Sequence, residues 1–248
     1  MKDLPIGPAL VTLAILSSLL LGTACKPGTG DSVSESKESA PELVIKRRDD
    51  GTLSSLNQVD SLGQVHGTRV TYYADGKTVY LKKQYTHGIP DGPYAQYYRN
   101  GQAFEEGTFR QGKRDGEVRK FYQDGRLCAR YQYRTDRLMP GLEEYSEAGE
   151  PIRDYPDIVF QATDLRETRS RIDLEMQCTD PRPNVRYWIL DRDDFFADRV
   201  SLHSEKGRAL IQFYARPGDG LDTTLHIVAE IPTILGNSYV RKLSYRLR

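Results

Sequence analysis

A repeat of 24 to 25 residues constrains the fold of this chain more than any other feature of its sequence. Each unit has two glycines four residues apart, then two adjacent aromatic residues, then Asp-Gly or Asn-Gly. The three clearest units begin at Gly63, Gly88 and Gly112, so successive units are 25 and 24 residues apart. A degraded unit follows over Gly141–Gly149, and a half unit precedes them around Asp50-Gly51. Such a period predicts a stack of equivalent supersecondary units in the first half of the chain.

Each unit carries the signals of an antiparallel β-hairpin. Asp-Gly and Asn-Gly favour two-residue type I′ turns, which require φ > 0 at both central positions. The sequence therefore predicts equivalent two-residue turns at Asp75-Gly76, Asn100-Gly101 and Asp124-Gly125. The two glycines four residues apart predict the reversal that links one hairpin to the next. Because one hairpin alone is marginally stable, neighbouring hairpins have to supply the core and terminal units act as caps.

These motifs resemble the MORN repeat in its bacterial variant form, over Gly63–Gly149 and more weakly from Asp50. The resemblance implies a MORN-like ribbon of antiparallel β-hairpins, which we assign to residues 44–150. Many bacterial proteins with this variant are YwqK-family antitoxins of toxin–antitoxin systems, so the resemblance also implies an antitoxin-like function. For MORN surfaces in general, it implies contact with lipids or membrane proteins.

Tyrosine is concentrated in the repeats, since 11 of the 16 tyrosines lie between Gly63 and Tyr145. Adjacent residues of a strand point to opposite faces, so one aromatic column is expected to face inward and the other outward. Two interpretations stay open: a cross-strand aromatic ladder that only stabilises the ribbon, and an exposed binding face. The candidate binding surface consists of the paired aromatic residues Tyr72, Tyr73, Tyr97, Tyr98, Phe121 and Tyr122.

After Pro151 the repeat stops, but the alternation of apolar and polar residues typical of strands continues. Seven strands are predicted, at 158–163, 172–179, 185–190, 199–204, 208–215, 223–231 and 239–247. This number of short strands favours an immunoglobulin-like β-sandwich over residues 151–248. Cys178 and Trp188 resemble the first cysteine and the core tryptophan of that fold, although the second cysteine is missing. An eight-stranded barrel and a single sheet stay open as alternatives.

The first 25 residues have the features of an export signal. The apolar stretch Ala9–Leu21 is too short to span a bilayer but fits the central region of a signal peptide. The segment Leu21–Cys25 resembles the lipobox of bacterial lipoproteins, which implies a signal peptide of residues 1–24 and lipidation of Cys25. A plain secretory peptide is the alternative. Residues 25–43, rich in Ser, Gly, Pro, Lys and Glu, are expected to form a flexible tether.

The sequence carries little sign of catalytic chemistry. Its 35 basic and 35 acidic residues balance, which argues against a nucleic-acid partner. It lacks G-x-S-x-G, H-E-x-x-H and C-x-x-C motifs, so we predict no enzyme activity, cofactor or metal. The acidic segment Asp191–Asp194 is interpreted as a solvated connection. Cys128 and Cys178 are interpreted as two buried thiols, with a disulfide as the alternative.

These features predict an all-β, lipid-anchored protein of the bacterial cell envelope, at the outer membrane or the periplasmic face. It is expected to bind a protein or membrane partner through the tyrosine-rich repeat. Two other functions stay open. One is an exported antitoxin or immunity-like protein that neutralises a toxin, and the other is an enzyme with an unrecognised site between the two halves.

Overall fold

The computed structural model describes residues 42–248, which fold almost entirely into antiparallel β-strands. One sheet has twelve strands and two sheets have four each. The only helix among the described residues is the single turn α1 (Arg166–Arg169). The predicted all-β class is therefore confirmed. The predicted signal peptide and Cys25 lie outside the described residues.

The strands of the first sheet are β1 (Glu42–Arg47), β2 (Leu53–Val59), β3 (Val65–Tyr72), β4 (Val79–Thr86), β5 (Ile89–Tyr97), β6 (Ala103–Arg110), β7 (Lys113–Arg114), β8 (Gly116–Phe121), β9 (Leu127–Arg134), β10 (Arg137–Leu138), β11 (Glu143–Tyr145) and β12 (Pro151–Ile152). They pair in chain order from β1 to β12, with the short β7 and β10 pairing only with β6 and β9. Two strands correspond to one repeat, so the period of the sequence becomes a continuous ribbon of hairpins. The half unit forms the hairpin of β1 and β2, and the predicted tether ends inside β1.

The Asp-Gly and Asn-Gly turns differ from the predicted two-residue type. Tyr98 donates its N–H to the carbonyl of Gln102 and accepts the N–H of Gly101, which leaves a three-residue loop. Within this loop only Gly101 has a positive φ, +86°. Asp124-Gly125 repeats this pattern, and the loop around Asp75-Gly76 is one residue longer. These are hairpins closed by a glycine bulge, so the prediction of type I′ turns at these positions was wrong.

Type I′ geometry is found instead at the three turns that join one unit to the next, whereas Gly63 lies in a three-residue loop of the glycine-bulge type. His87 and Gly88 have φ of +46° and +79°, between the paired residues Thr86 and Ile89. Gln111-Gly112 and Thr135-Asp136 have the same two positive angles. The predicted reversal at the glycine pairs is therefore confirmed. The turn that links two repeats is the tight one.

The second glycine of each pair lies opposite an aromatic ring of the neighbouring strand. Gly67 pairs with Tyr85, Gly92 with Phe109, and Gly116 with Tyr133. All three glycines have positive φ, and a Cβ at Gly92 would lie 2.9 Å from side-chain atoms of Gln84.

The strands of the second half are β13 (Ile158–Asp164), β14 (Arg171–Cys178), β15 (Arg186–Leu190), β16 (Arg199–Leu202), β17 (Ser204–Glu205), β18 (Arg208–Tyr214), β19 (Thr223–Pro232) and β20 (Ser238–Leu247). One sheet has the order β13-β14-β18-β17 and the other β16-β15-β19-β20. All seven predicted strands are present within a residue or two of their predicted ends. The predicted fourth strand divides into β16 and β17.

Side chains from both four-stranded sheets share one apolar core. Met176 and Cys178 from one sheet pack with Tyr187 and Ile227 from the other, and each is at most 8% exposed. Trp188 lies outside this core, in a separate cluster on the opposite side of β15. Trp188 therefore does not take the core position that its resemblance to the immunoglobulin tryptophan implies, because the alternation of β15 places Tyr187 at the inward position.

The second half packs on one face of the repeat sheet. Val118, Ala129 and Tyr131 of the repeats form a buried cluster that also contacts Tyr155 and Tyr239. Arg137 reaches further along the contact, where it donates to the main-chain carbonyls of residues 195 and 197. Residues 42–248 all lie within one compact unit of the chain.

Candidate binding surface and metal-ligand cluster

The six predicted surface aromatics lie where a strand runs into a glycine-bulge turn, and all six are half-buried. Tyr72, Tyr97 and Phe121 are the last residues of β3, β5 and β8. Each is followed by the second aromatic residue of its pair, at the start of the loop. The structure thus separates the six residues into two columns, which we call the strand column and the loop column.

The loop column joins each repeat to the next. Tyr73 donates its hydroxyl to the carbonyl of Tyr97 at 2.6 Å, and Tyr98 donates to that of Phe121 at 2.8 Å. Tyr122 continues the series with the carbonyl of Tyr145 at 2.6 Å. A phenol donates only while it is protonated, and the raised pKa values of Tyr98 and Tyr122 favour that protonated form. Burial is the main cause in both, and it raises the pKa of Tyr122 to about 12.

Each loop-column ring also packs against the residue that bulges from the following strand. Tyr73 meets Tyr80, and Tyr98 meets Phe104, with ring centroids 5.1 Å apart in both cases. In the third repeat the bulge residue is Cys128, whose thiol is free. Burial raises its pKa, as it does that of the free thiol of Cys178. The loop column therefore fills a structural position in every repeat.

The strand column lies on the face of the repeat sheet opposite the second half. Directly paired residues share a face, and the strand register connects six of them into one row. That row is Lys82, Ala95, Glu106, Arg119, Arg130 and Glu143. Tyr97 and Phe121 each stand two residues after a member of the row, so their side chains belong to this face. We call it the outer face.

The outer face combines aromatic rings with charges of both signs. Arg119 pairs with Glu106 at 3.2 Å, and Arg130 pairs with Glu143 at 2.6 Å. The ammonium group of Lys82 lies 5.7 Å from the centre of the Tyr97 ring. A groove of about 560 Å³ runs across this face. Its lining includes Lys82, Ala95, Tyr97, Glu106 and Arg119.

A second concavity, of about 800 Å³, lies in the second half beside β18. Leu210 lines it and is 51% exposed. On this side of β18, β17 pairs only with Arg208 and Ala209. Within the described residues, the edge of β18 beyond Ala209 therefore has no neighbouring strand.

Asp60, His66 and His87 form a cluster that sequence reasoning missed. One ligand atom from each lies within 4.8 Å of the other two. Asp60 Oδ2 is 2.8 Å from His87 Nδ1, and this hydrogen bond is the main cause of the lowered pKa of Asp60. The imidazole rings of His66 and His87 have centroids 4.7 Å apart. The three residues span 27 positions, and only the pairing of β3 with β4 brings them together.

The predicted solvated segment Asp191–Asp194 is held by side-chain contacts. Asp193 lies 2.7 Å from the ammonium group of Lys242 and 3.3 Å from His226 Nδ1. Asp194 accepts the N–H of Phe196 at 2.9 Å. These contacts give the segment a structural role at the end of β15.

Comparison of the chain with protein-family models, with curated proteins and with solved structures found no match. No helix in the part of the chain that the structure describes is long and apolar enough to cross a membrane.

Proposed function

We propose that this protein is a lipid-anchored envelope protein that binds a protein partner on the outer face of its repeat sheet. The proposal rests on a difference between the two aromatic columns: the loop column joins the repeats, and the strand column lies on the outer face. The hydroxyls of Tyr73, Tyr98 and Tyr122 are occupied in bonds between repeats. The strand column makes no such link, and Tyr97 lines a groove on the face that the second half leaves open.

The chemistry of the outer face favours a protein over an anionic membrane. Tyrosine and arginine are enriched at protein interfaces because they combine large contact area with hydrogen bonding. Glu106 and Glu143 offset Arg119 and Arg130, so this face lacks the basic excess that anionic lipids attract. A partner with its own mixed charges can pair with this row and gain specificity from it.

The topology supports the finer fold assignment that we propose with this function. Hairpins with a 24-residue period in one continuous sheet are what a MORN-like ribbon requires. In the second half, the two strand orders support an immunoglobulin-like sandwich in which the strands A, B, C, E, F and G would be β13, β14, β15, β18, β19 and β20. The short β16 and β17 then correspond to C′ and D.

The test is capture from envelope extracts by the full-length protein, compared with the double variant Tyr97→Ala/Phe121→Ala. We expect the variant to lose the captured protein while its melting temperature stays within a few degrees of wild type. Ile234→Ala is the control, because Ile234 is 75% exposed in the second half and lies neither on the outer face nor on β18. Equal capture by the double variant would contradict the proposal. Tyr97-dependent binding to anionic lipid vesicles would instead identify a membrane as the partner.

Anchoring is tested separately, by labelling cells with a palmitate analogue. We expect label on the wild-type protein and none on Cys25→Ser. Equal label on both would contradict lipidation at Cys25. An exported immunity-like function is a further outcome. It would be established by a toxin whose gene lies beside the gene of this protein and whose activity this protein neutralises.

The open edge of β18 favours a second binding mode, in which a partner adds a strand beside Leu210. Leu210→Lys places a charge on this edge and is expected to abolish that mode. Loss of capture with Leu210→Lys but not with Tyr97→Ala/Phe121→Ala would assign binding to the second half.

A further inference from the structure

The Asp60–His66–His87 cluster occupies a junction that also occurs, with different side chains, in the next two repeats. His66 is equivalent to Asp91 in the second repeat, and His87 is equivalent to Gln111. At each junction the first residue of the tight turn donates its N–H to the side chain before the second glycine. His87 donates to His66 at 3.4 Å, and Gln111 donates to Asp91 at 3.3 Å.

The structural task of this junction therefore does not require histidine. At the third junction Thr135 donates its N–H to Asp115 at 3.1 Å, again without an imidazole. Asp60 is also specific to the first junction, because Tyr85 stands at the equivalent place one repeat later. Among the three described junctions, only the first brings two imidazoles and a carboxylate together.

The carboxylate of Asp60 is oriented by its own turn. Its Oδ1 accepts the N–H groups of Leu62 and Gln64 at 3.0 and 2.9 Å. This leaves Oδ2 directed at His87. The Asp60 side chain is 11% exposed and that of His87 is 57% exposed, so the cluster is anchored on one side and open to solvent on the other. Carboxylates held by second contacts in this way are typical of metal ligands.

We propose that Asp60, His66 and His87 bind one Zn²⁺ ion, with water completing the coordination. Two imidazoles and one carboxylate select borderline cations such as Zn²⁺ over Mg²⁺ or Ca²⁺, which prefer oxygen ligands alone. Zinc bonds of about 2.0–2.2 Å require ligand atoms closer together than the 4.8 Å limit within which these atoms lie. Zinc binding would therefore require rotation of these side chains. The exposed ring of His87 is the freest to move.

Bound zinc would tie the turn between β2 and β3 to the turn between β4 and β5. These turns lie at the same edge of the repeat ribbon, and Asp60 and His87 already connect them. Since a ligand that binds only the folded state stabilises it, zinc is expected to raise the melting temperature.

The test uses full-length protein, purified in detergent, stripped with EDTA and titrated with ZnCl₂ by calorimetry. We expect one Zn²⁺ per chain and a higher melting temperature with zinc. His87→Gln copies Gln111 and keeps the turn, yet should weaken zinc binding by about tenfold or more. His66→Asp/His87→Gln gives the first junction both turn side chains of the second while Asp60 stays in place, and it should remove the zinc-dependent rise in melting temperature. Titration with MgCl₂ should produce no comparable heat.

The matched control is His226→Gln. His226 lies 3.3 Å from Asp193 but belongs to no three-ligand group in the described residues, so its loss should leave zinc binding unchanged. Zinc binding by His66→Asp/His87→Gln as tight as by wild type would overturn the proposal, as would loss of binding in His226→Gln. Absence of any zinc binding by the wild-type protein would also overturn it.

Discussion

The carboxylate of Glu144 accepts a hydrogen bond of 2.7 Å from the side-chain amide of Asn237, which lies 93 residues later in the chain. Thr233 donates its hydroxyl to the same oxygen at 2.6 Å. Lys120 donates to the amide oxygen of Asn237 at 2.8 Å. Glu144 is 1% exposed, so these bonds replace the contacts of its Oε1 with water where the two halves meet. The same strand directs the neighbouring Glu143 into solvent, where it pairs with Arg130.

The adjacent carboxylates Glu143 and Glu144 should therefore respond very differently to truncation. Glu144→Ala leaves the amide of Asn237 and the hydroxyl of Thr233 without their acceptor, and should lower the free energy of unfolding by about 3 kcal/mol. Glu143→Ala removes an exposed ion pair and should cost less than about 1 kcal/mol. Urea unfolding followed by the fluorescence of Trp188, the single tryptophan, measures both. Equal losses would contradict a structural role for the buried carboxylate.

The strands could be predicted because local patterns determine them. Alternation along Arg171–Cys178 predicts one half-buried strand, and its burial in the structure alternates residue by residue. The type of the turn at Gly101 could not be predicted from the sequence, because the length of the loop depends on the bulge at Phe104 as well as on Asn-Gly. The environments of Glu144 and His87 depend on residues far away in sequence. No periodicity encodes such pairings, so the interface and the metal-ligand cluster were missed.

The loop column predicts an asymmetry between two adjacent tyrosines. Tyr98→Phe removes the hydroxyl that donates to the main-chain carbonyl of Phe121 at 2.8 Å, and should lower the free energy of unfolding by about 1 kcal/mol. Tyr97→Phe removes a hydroxyl that makes no bond between repeats, and should stay within about 0.5 kcal/mol of wild type. Thermal unfolding followed by circular dichroism measures the difference. A larger loss for Tyr97→Phe would show that the strand column, rather than the loop column, joins the repeats.

Gly101 and Gly207 have nearly the same φ angle but differ in the space around them. Substituting each by alanine therefore distinguishes the cost of backbone strain from the cost of steric overlap. Gly101 has φ of +86°, and a Cβ there would meet no atom within 4 Å, so Gly101→Ala should cost about 1 kcal/mol. Gly207 has φ of +79°, but its Cβ would lie 1.8 Å from the carbonyl oxygen of Arg182. Because a backbone atom cannot move aside cheaply, Gly207→Ala should cost about 3 kcal/mol or more. Chemical denaturation of both variants gives the comparison, and equal losses would show that overlap at Gly207 relaxes freely.

The stability of the turn that contains Asp75 is expected to depend on pH in the acid range. Thr78 donates its hydroxyl to the carboxylate at 2.6 Å, and this bond is the main reason that the pKa of Asp75 is lowered to about 2. A carboxyl group whose folded pKa lies below its unfolded value of 3.8 stabilises the fold above that value. This contribution is lost as the pH falls from about 4 through 2.

Asp75→Asn should therefore show a smaller fall in melting temperature between pH 4 and pH 2 than the wild-type protein. Asparagine is compatible with this turn, because Asn100 occupies the equivalent position one repeat later and accepts the N–H of Gln102 at 3.0 Å. Asp154→Asn is the control, since Asp154 lies in an exposed connection and the variant removes the same charge. The control should follow the wild-type curve. If Asp75→Asn follows it as well, the carboxylate of Asp75 does not contribute to the acid sensitivity of the repeat sheet.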